Sequence, residues 1–458
     1  MLPTARNDNE CRSAPQTTAG ELAALTRTAI PIALVSLVNL GMSITDTILM
    51  ADLDPRALTA GVVVGDIYSI VIQFAAGALG AVAAPVAAAF AAGDGPRAAG
   101  TIADGLRLAL VLAVLGSAVI LLAPHALLAG GVDLPLPEVA TEYAAYMAAT
   151  YAVMMVVALS RSIFPAFGSG GMVLAVMLAA VPLNLVADIA LMHGRWGLPA
   201  MGMAGAGAAS LLVALFMAAA LLAYLAMAPR LRGIGISRAV IARGGRFVAP
   251  ALARAALFTG GTALCETGVY LSSTVVVAFV AIEAVPAHIL VFRTVAVTYV
   301  IGTGFAQAVT IHLARHIEAG ADALHLTRAA LVGTGILGLI FLGAMLALPL
   351  SRGLTGIDSG LLADLTPWGA VAVCNLVPAV VAFGILRARA DVAVPSLISL
   401  IGYWGVGFGL IVLLSGPLGY GVVGIWAGLS IGTTATAAGL WLYLRRRNPT
   451  GRQVRRTV

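Results

Sequence analysis

Residues 108–123 read LALVLAVLGSAVILLA, sixteen in a row without a charged side chain. A helix rises 1.5 Å per residue, so about 20 such residues cross the hydrocarbon core of a bilayer. With the six residues before it, the run 102–123 is long enough to span. It has no polar face for water, which a helix on a soluble domain would need. Working outward, the same pattern recurs at 29–51, 59–88, 139–160, 165–192 and 202–227. It recurs again at 248–278, 285–309, 325–349, 364–386, 394–414 and 421–444. The reading is an all-α integral membrane protein of twelve transmembrane helices.

Composition agrees. The chain is 60% hydrophobic and only 10% charged, with mean hydropathy +1.01. Soluble domains carry about 25% charged residues, so the solvent for this surface is lipid. Residues 1–20 are polar and the first apolar run is too long for a cleaved leader. The formal charge is +6, and every cationic side chain apart from histidine is arginine. Most of these arginines lie at the chain ends and between spans, which argues against nucleic acid and for cytoplasmic retention. With the N-terminus inside, the cytoplasmic side receives Arg6, Arg12, Arg27, Arg97, Arg161, the cluster Arg230–Arg246, Arg315, Arg328, Arg387, Arg389 and the tail from Arg445. Only Arg56, Arg195 and Arg352 fall outside. That asymmetry fits an even number of spans with both termini cytoplasmic in a bacterial inner (plasma) membrane. Cys11, Cys265 and Cys374 lie far apart, so neither a disulfide framework nor a zinc site is expected.

The chain repeats itself at an offset of about 220 residues. Ala92-Gly93-Asp94 follows the second span and Ala319-Gly320-Ala321-Asp322 the eighth. Leu-Ala-Pro ends the third at Pro124, and Leu-Ala-Leu-Pro the ninth at Pro349. Gly202-Met-Ala-Gly205 opens the sixth, and Gly421-Val-Val-Gly424 the twelfth. Six spans per half insert both halves the same way, so a pseudo-two-fold axis along the membrane normal is expected. The organisation predicted is a cytoplasmic tail 1–28, an N-lobe 29–228, a linker 229–247, a C-lobe 248–444 and a cytoplasmic tail 445–458. Two similar bundles suggest a cleft for a transported solute.

Ionisable residues inside spans are costly and mark function by default. Asp46 lies in Gly41-Met-Ser-Ile-Thr-Asp-Thr-Ile-Leu-Met, among Ser43, Thr45 and Thr47. Asn184 and Asp188 stand four apart in the fifth span, hence on one helix face. If that face meets Asp46, two carboxylates and an amide share one pocket and one carboxylate could exchange a proton. The bland reading of Asp188 is an interfacial residue near His193 and Arg195. Glu266 sits deep in the seventh span, repeat-equivalent to Asp46, and reads as an ion-binding or cation-binding residue. Its bland role is a structural partner for Arg254 or Arg293. Asp391, beside Arg387 and Arg389, reads on its own as a solvated salt bridge. Asp66, Gln73, Tyr299 and Gln307 are cleft candidates, each also readable as a helix-packing residue. His288 reads as structural. Glycine-rich stretches such as Gly77–Gly80 fit close helix packing. Without lysine there is no phosphate-binding Gly-Lys-Ser/Thr, which disfavours an ATP-driven pump.

Over residues 25–445 these pieces resemble the multidrug and toxic compound extrusion (MATE) family, in its NorM-like branch. The likeness is carried by Pro31 with Gly41–Ile48, Ala91-Ala-Gly-Asp94 and Pro182-Leu-Asn184 with Gly197-Leu-Pro. It continues through Glu266, Pro286-Ala-His288, Leu386-Arg387 to Asp391, Tyr403-Trp404 and Gly421–Gly428. Ala388 and Ile289 depart from the family's Gly and Gln. The resemblance implies a two-lobe fold and export of small organic, often cationic, drugs in exchange for Na⁺ or H⁺ by alternating access. It carries ion coupling onto Asp46, Asn184 and Asp188 in one lobe, and onto Glu266 and Asp391 in the other. A Na⁺ could sit at either group. No cofactor and no metal beyond that coupling ion are expected, and no catalysis. The partners expected are drug molecules and membrane lipid, not nucleic acid, with the chain a monomer. The rival within the superfamily is a flippase for lipid-linked oligosaccharide or peptidoglycan precursors. Such a cleft would need more cationic lining for pyrophosphate than these spans offer. An intramembrane enzyme would need paired catalytic residues such as His-Glu-x-x-His, and none occurs. A receptor or scaffold fits the duplicated halves poorly.

Overall fold

The computed structural model describes residues 17–51, 55–130, 136–227, 248–321, 323–351 and 359–447, and nearly all of them are helical. The predicted linker 229–247, Cys11 and Asp322 lie outside the described residues. The first six spans are α1 (Thr18–Ala51), α2 with α3 (Pro55–Gly80 and Ala83–Ala91), α4 (Gly95–Ala129), α5 (Pro137–Ile163), α6 (Gly170–His193) and α7 (Gly202–Met227). The next four are α8 (Pro250–Val280), α9 (Val285–Glu318), α10 (Leu324–Leu346) and α11 (Ser359–Ala388). The eleventh span is α12 (Ala393–Leu400), a π-helix Ile401–Phe408 and α13 (Gly409–Ser415), and the twelfth is α14 (Gly421–Arg447). Among the described residues, eleven of these segments are long and apolar enough to cross a membrane by hydropathy. The remaining one, α8, has 31 residues, or roughly 46 Å of helix, and carries Arg254 and Glu266.

All twelve expected spans are present, with three differences. First, α1 begins at Thr18, inside the expected tail 1–28. Glu21 and Arg27 end the apolar run there, but they do not end the helix. Leu25 and Glu21 are both buried, at 0% and 3% exposure. Second, the single run expected at 59–88 is two helices. Pro85 has no N–H to give the Ala81 carbonyl. The turn before it tightens, with Ala81 and Val82 donating three residues back to Ala78 and Leu79. Third, the eleventh span is wound as a π-helix through its middle.

The repeated sequence pieces are joints. Gly93 (φ 67°) and Gly320 (φ 62°) stop the helices after the second and eighth spans in the left-handed conformation. Gly202 (φ 56°) and Gly421 (φ 53°) open the sixth and twelfth the same way. Asp94 then caps α4, its side chain accepting from the Arg97 N–H at 2.9 Å.

Two compact units form. One holds residues 34–260 and the other residues 17–33 with 261–447. This partition differs from the expected lobes 29–228 and 248–444 at the first and seventh spans. Leu25 and Ala29 bury in one cluster with Phe305, Val309, Leu313, Phe383 and Leu440, which ties the start of α1 to the second unit. A polar clasp reinforces it: Thr28 Oγ1 bonds His312 Nε2 at 2.9 Å, and Glu21 Oε1 lies 3.4 Å from His316 Nε2. Thr18 Oγ1 bonds His325 Nδ1 at 3.3 Å. In α8, a Cβ on Gly260 would strike the Phe74 carbonyl, so its first turns pack within the first unit.

In the first unit α5 packs against α2, α4 and α7; in the second, α11 packs against α9, α10 and α14. The fourth span of each half is thus its core. The outward faces stay apolar: Leu110, Leu122, Leu339 and Leu442 are all more than half exposed. In water such faces would be a fault, and in lipid they are the exterior.

Candidate functional site

In the first unit α1 supplies Asp46 and α6 supplies Asn184 and Asp188. The four-residue spacing holds: Asn184 Nδ2 donates to Asp188 Oδ2 at 2.9 Å. Asp46 comes within side-chain hydrogen-bonding reach of both. Asn184 and Asp188 are buried, at 2% and 0% exposure. Asp46 Oδ1 and Asp188 Oδ1 have no further protein partner among the described residues. The phenols of Tyr68 on α2 and Tyr143 on α5 lie within electrostatic range of Asp46, and Tyr143 also of Asp188. The three residues singled out by sequence therefore meet. The two tyrosines were missed, because a tyrosine in an apolar span gives no signal of which way it points.

In the second unit Glu266 on α8 is 7% exposed. Tyr299 on α9 donates its hydroxyl to Glu266 Oε2 at 2.8 Å. Tyr299, expected in a cleft, is thus a direct partner of the acid. The guanidinium of Arg387 on α11 lies within electrostatic range of Glu266 and Tyr299, and stacks over Phe383 at 5.1 Å. Among the described residues, the arginine whose charge acts on Glu266 is Arg387, on the central helix of this unit, where the sequence suggested Arg254 or Arg293. The phenols of Tyr270 and Tyr403 also lie within electrostatic range of Glu266.

The π-helix accounts for part of this arrangement. It holds Tyr403, within electrostatic range of Glu266, and Trp404, whose indole N–H donates to the Cys265 carbonyl on α8 at 3.0 Å. π-Turns inside α-helices often sit at functional sites. This one is held where Gly407 meets Gly432 on α14 backbone to backbone, an approach that any side chain would block.

Asp391 lies elsewhere. It sits in the turn after α11, just past Ala390 (φ 59°), accepting from Tyr443 Oη at 2.8 Å and pairing with Arg447 Nε at 3.5 Å. None of the contacts around Glu266 involves it. Asp66 is exposed on α2, with Gln73 seven residues on and half-buried; Gln307 is half-buried on α9. Among the described residues, Asp66 is not one of the groups acting on Asp46.

A family model, MatE, matches residues 31–190. A probable multidrug resistance protein NorM of Deinococcus radiodurans is 31% identical, covering 94% of this chain and 97% of its own. A probable NorM of Pseudomonas putida is 30% identical over 92% of this chain and 93% of its own. Among solved structures, a eukaryotic MATE transporter superposes with TM-score 0.81 at 15% identity, covering 94% of this chain and 97% of that one. An outward-facing multidrug resistance MATE transporter of the MOP superfamily gives 0.78 at 20% identity, covering 93% and 96%.

Proposed function

The chain belongs to the MatE family of membrane transporters, and from that premise we propose that it exports small organic cations, multidrug-fashion, in exchange for inward H⁺. The observation that carries the reading is the contact between Asp46 and Asp188 inside an apolar bundle. Two carboxyl groups that close cannot both carry charge, so the pair holds one proton and can release it. An exporter needs such a group to take a proton on one side and give it up on the other. Asn184 orients Asp188 for that task, its amide fixing Oδ2.

Glu266 is the corresponding acid of the second unit. Tyr299 holds its Oε2, and Arg387 balances its charge when the proton leaves. Asp391 serves as a latch on the C-terminal helix rather than as an ion carrier. Na⁺ at either acid is the competing choice of ion. The arginine distribution supports both termini on the cytoplasmic side of the plasma membrane. Each unit carries its own core and its own acid, which supports a monomer as the working form.

The test is efflux of an organic-cation dye from everted-membrane vesicles under an imposed pH or Na⁺ gradient. The expected result is transport that follows the pH gradient and falls at least tenfold in Asp188→Asn and in Glu266→Gln with expression unchanged. Transport that follows Na⁺ alone would replace the proton by Na⁺. Wild-type rates in both variants would remove these acids from coupling.

A further inference from the structure

Glu266 does not stand alone on α8. Tyr270 and Thr274 follow it at intervals of four, which places the three along one helix face about 6 Å apart. Thr274 Oγ1 bonds His288 Nε2 at 3.0 Å, across the corner where α8 gives way to α9. His288 is fully buried, stacked with Phe292 (6.1 Å) and tilted against Trp426 (5.5 Å). Tyr270 stacks on the same Phe292 at 5.8 Å. Tyr403 is buried in one cluster with Tyr270 and Trp426, within electrostatic range of Glu266.

Four polar atoms in this column are buried and have no hydrogen-bond partner among the described residues: Tyr270 Oη, Tyr403 Oη, His288 Nδ1 and Trp426 Nε1. An orphaned buried donor or acceptor costs about 1–3 kcal/mol, and native proteins keep such groups rare. Four such atoms gathered around one buried cluster point to bound water as their partner. Buried water satisfies such groups when two or more converge on one spot. The column also has a direction. It starts at Glu266 in mid-span and ends at His288, four residues into α9, at the end of the bundle where α8 and α9 join.

We propose that this column is a water-filled proton path connecting Glu266 to the α8–α9 end of the second unit, with His288 as its terminal relay. It rests on the reading of Glu266 as a proton-carrying acid. A proton arriving at one imidazole nitrogen is matched by one leaving the other. It then passes along Thr274, the bound water and the Tyr270 hydroxyl to the Glu266 carboxylate. Each hydroxyl gives one proton and takes one, so only Glu266 changes its state. The groups within electrostatic range of Glu266 are Tyr270 and Cys265 on its own helix, Tyr299 from α9, which bonds it, Arg387 from α11 and Tyr403 from the π-helix. Those facing His288 are Thr274, Phe292 and Trp426.

Two measurements on the full chain in lipid nanodiscs test it. In hydroxyl-radical footprinting read by mass spectrometry, bound water marks the buried side chains beside it. Tyr270 and Tyr403 should label about tenfold faster than Phe305, which is as deeply buried but sits in an apolar cluster away from them. Equal labelling would show the column dry and overturn the path, whatever Glu266 does. In stopped-flow pH jumps, the proton whose uptake disappears in Glu266→Gln should arrive at least tenfold more slowly in Tyr270→Phe and His288→Leu. His288→Asn keeps a partner for Thr274 but cannot pass a proton. It should fold and bind dye as wild type while staying slow, and wild-type uptake in it would overturn the relay. If Glu266→Gln loses no proton, the functional reading of that acid fails, and footprinting still decides whether the column holds water.

Discussion

Asp188 shows how the site was legible residue by residue. Its distance from Asn184 along the chain set the face they share, and the structure joins them by a 2.9 Å bond. The meeting with Asp46, 142 positions earlier in the numbering, was conditional on two helices touching, which periodicity cannot decide. The same limit hid Arg387, Tyr68 and Tyr143, whose roles depend on neighbours from other spans. Asp391 is instructive in the other direction. Its charged surroundings suggested a salt bridge, the resemblance suggested ion coupling, and the structure places it against Tyr443 and Arg447. At this scale the Asn184 amide should matter for stability as well as for orientation. Asn184→Leu leaves a buried carboxyl oxygen without its donor and should cost about 1–3 kcal/mol. Thermal unfolding in detergent would show it, and an unchanged melting temperature would mean that Asp188 is satisfied by other means.

Among the elements, the spans were legible because about 20 apolar residues in a row allow little else. Their inner detail was not. Hydropathy cannot see the break before Pro85, nor that Ile401–Phe408 winds with five-residue hydrogen bonds. Both depend on backbone donors and on packing partners. The π-helix rests against α14 through Gly402 and Gly407. A Cβ on Gly402 would collide with the Thr436 side chain and backbone. Gly402→Val should therefore push Tyr403 and Trp404 off α8, destabilise by about 1–3 kcal/mol and cut efflux more than expression. Dye efflux normalised to folded protein in size-exclusion chromatography checks this. Recovery in Gly402→Val with Thr436→Ala would locate the fault at that contact.

For the whole molecule, the duplication was readable from short pieces, and the matching glycine conformations at Gly93 and Gly320, and at Gly202 and Gly421, bear it out. The unit boundaries were not readable, because hydropathy tells which residues meet lipid and not which neighbours they meet. The start of α1 belongs to the second unit through Leu25 and the His312 and His316 clasp. Leaving aside Glu21, which is engaged in the His316 clasp, each unit holds one buried acid group within its spans among the described residues, and that suggests two protons per turnover. Exchange of two protons for one monovalent drug moves one net charge inward. At 100 mV that charge is worth about 2.3 kcal/mol, or roughly fifty-fold in drug gradient. Collapsing the membrane potential with valinomycin and potassium, at constant pH gradient, should therefore reduce steady-state accumulation by that order. No change would mean one-for-one, electrically silent exchange.

The Trp404 indole that donates to the Cys265 carbonyl is also a light source beside an acid. An excited indole shifts charge across its rings, so its emission colour follows the field around it. On the proposal that Glu266 carries a proton, Trp404 is placed to register its charge as a shift in fluorescence, with Trp196, Trp368, Trp426 and Trp441 as background. A chain keeping Trp404 alone, with the other four replaced by Phe, should trace a titration curve that flattens in Glu266→Gln. The protein then needs no attached dye for its protonation to be followed in real time.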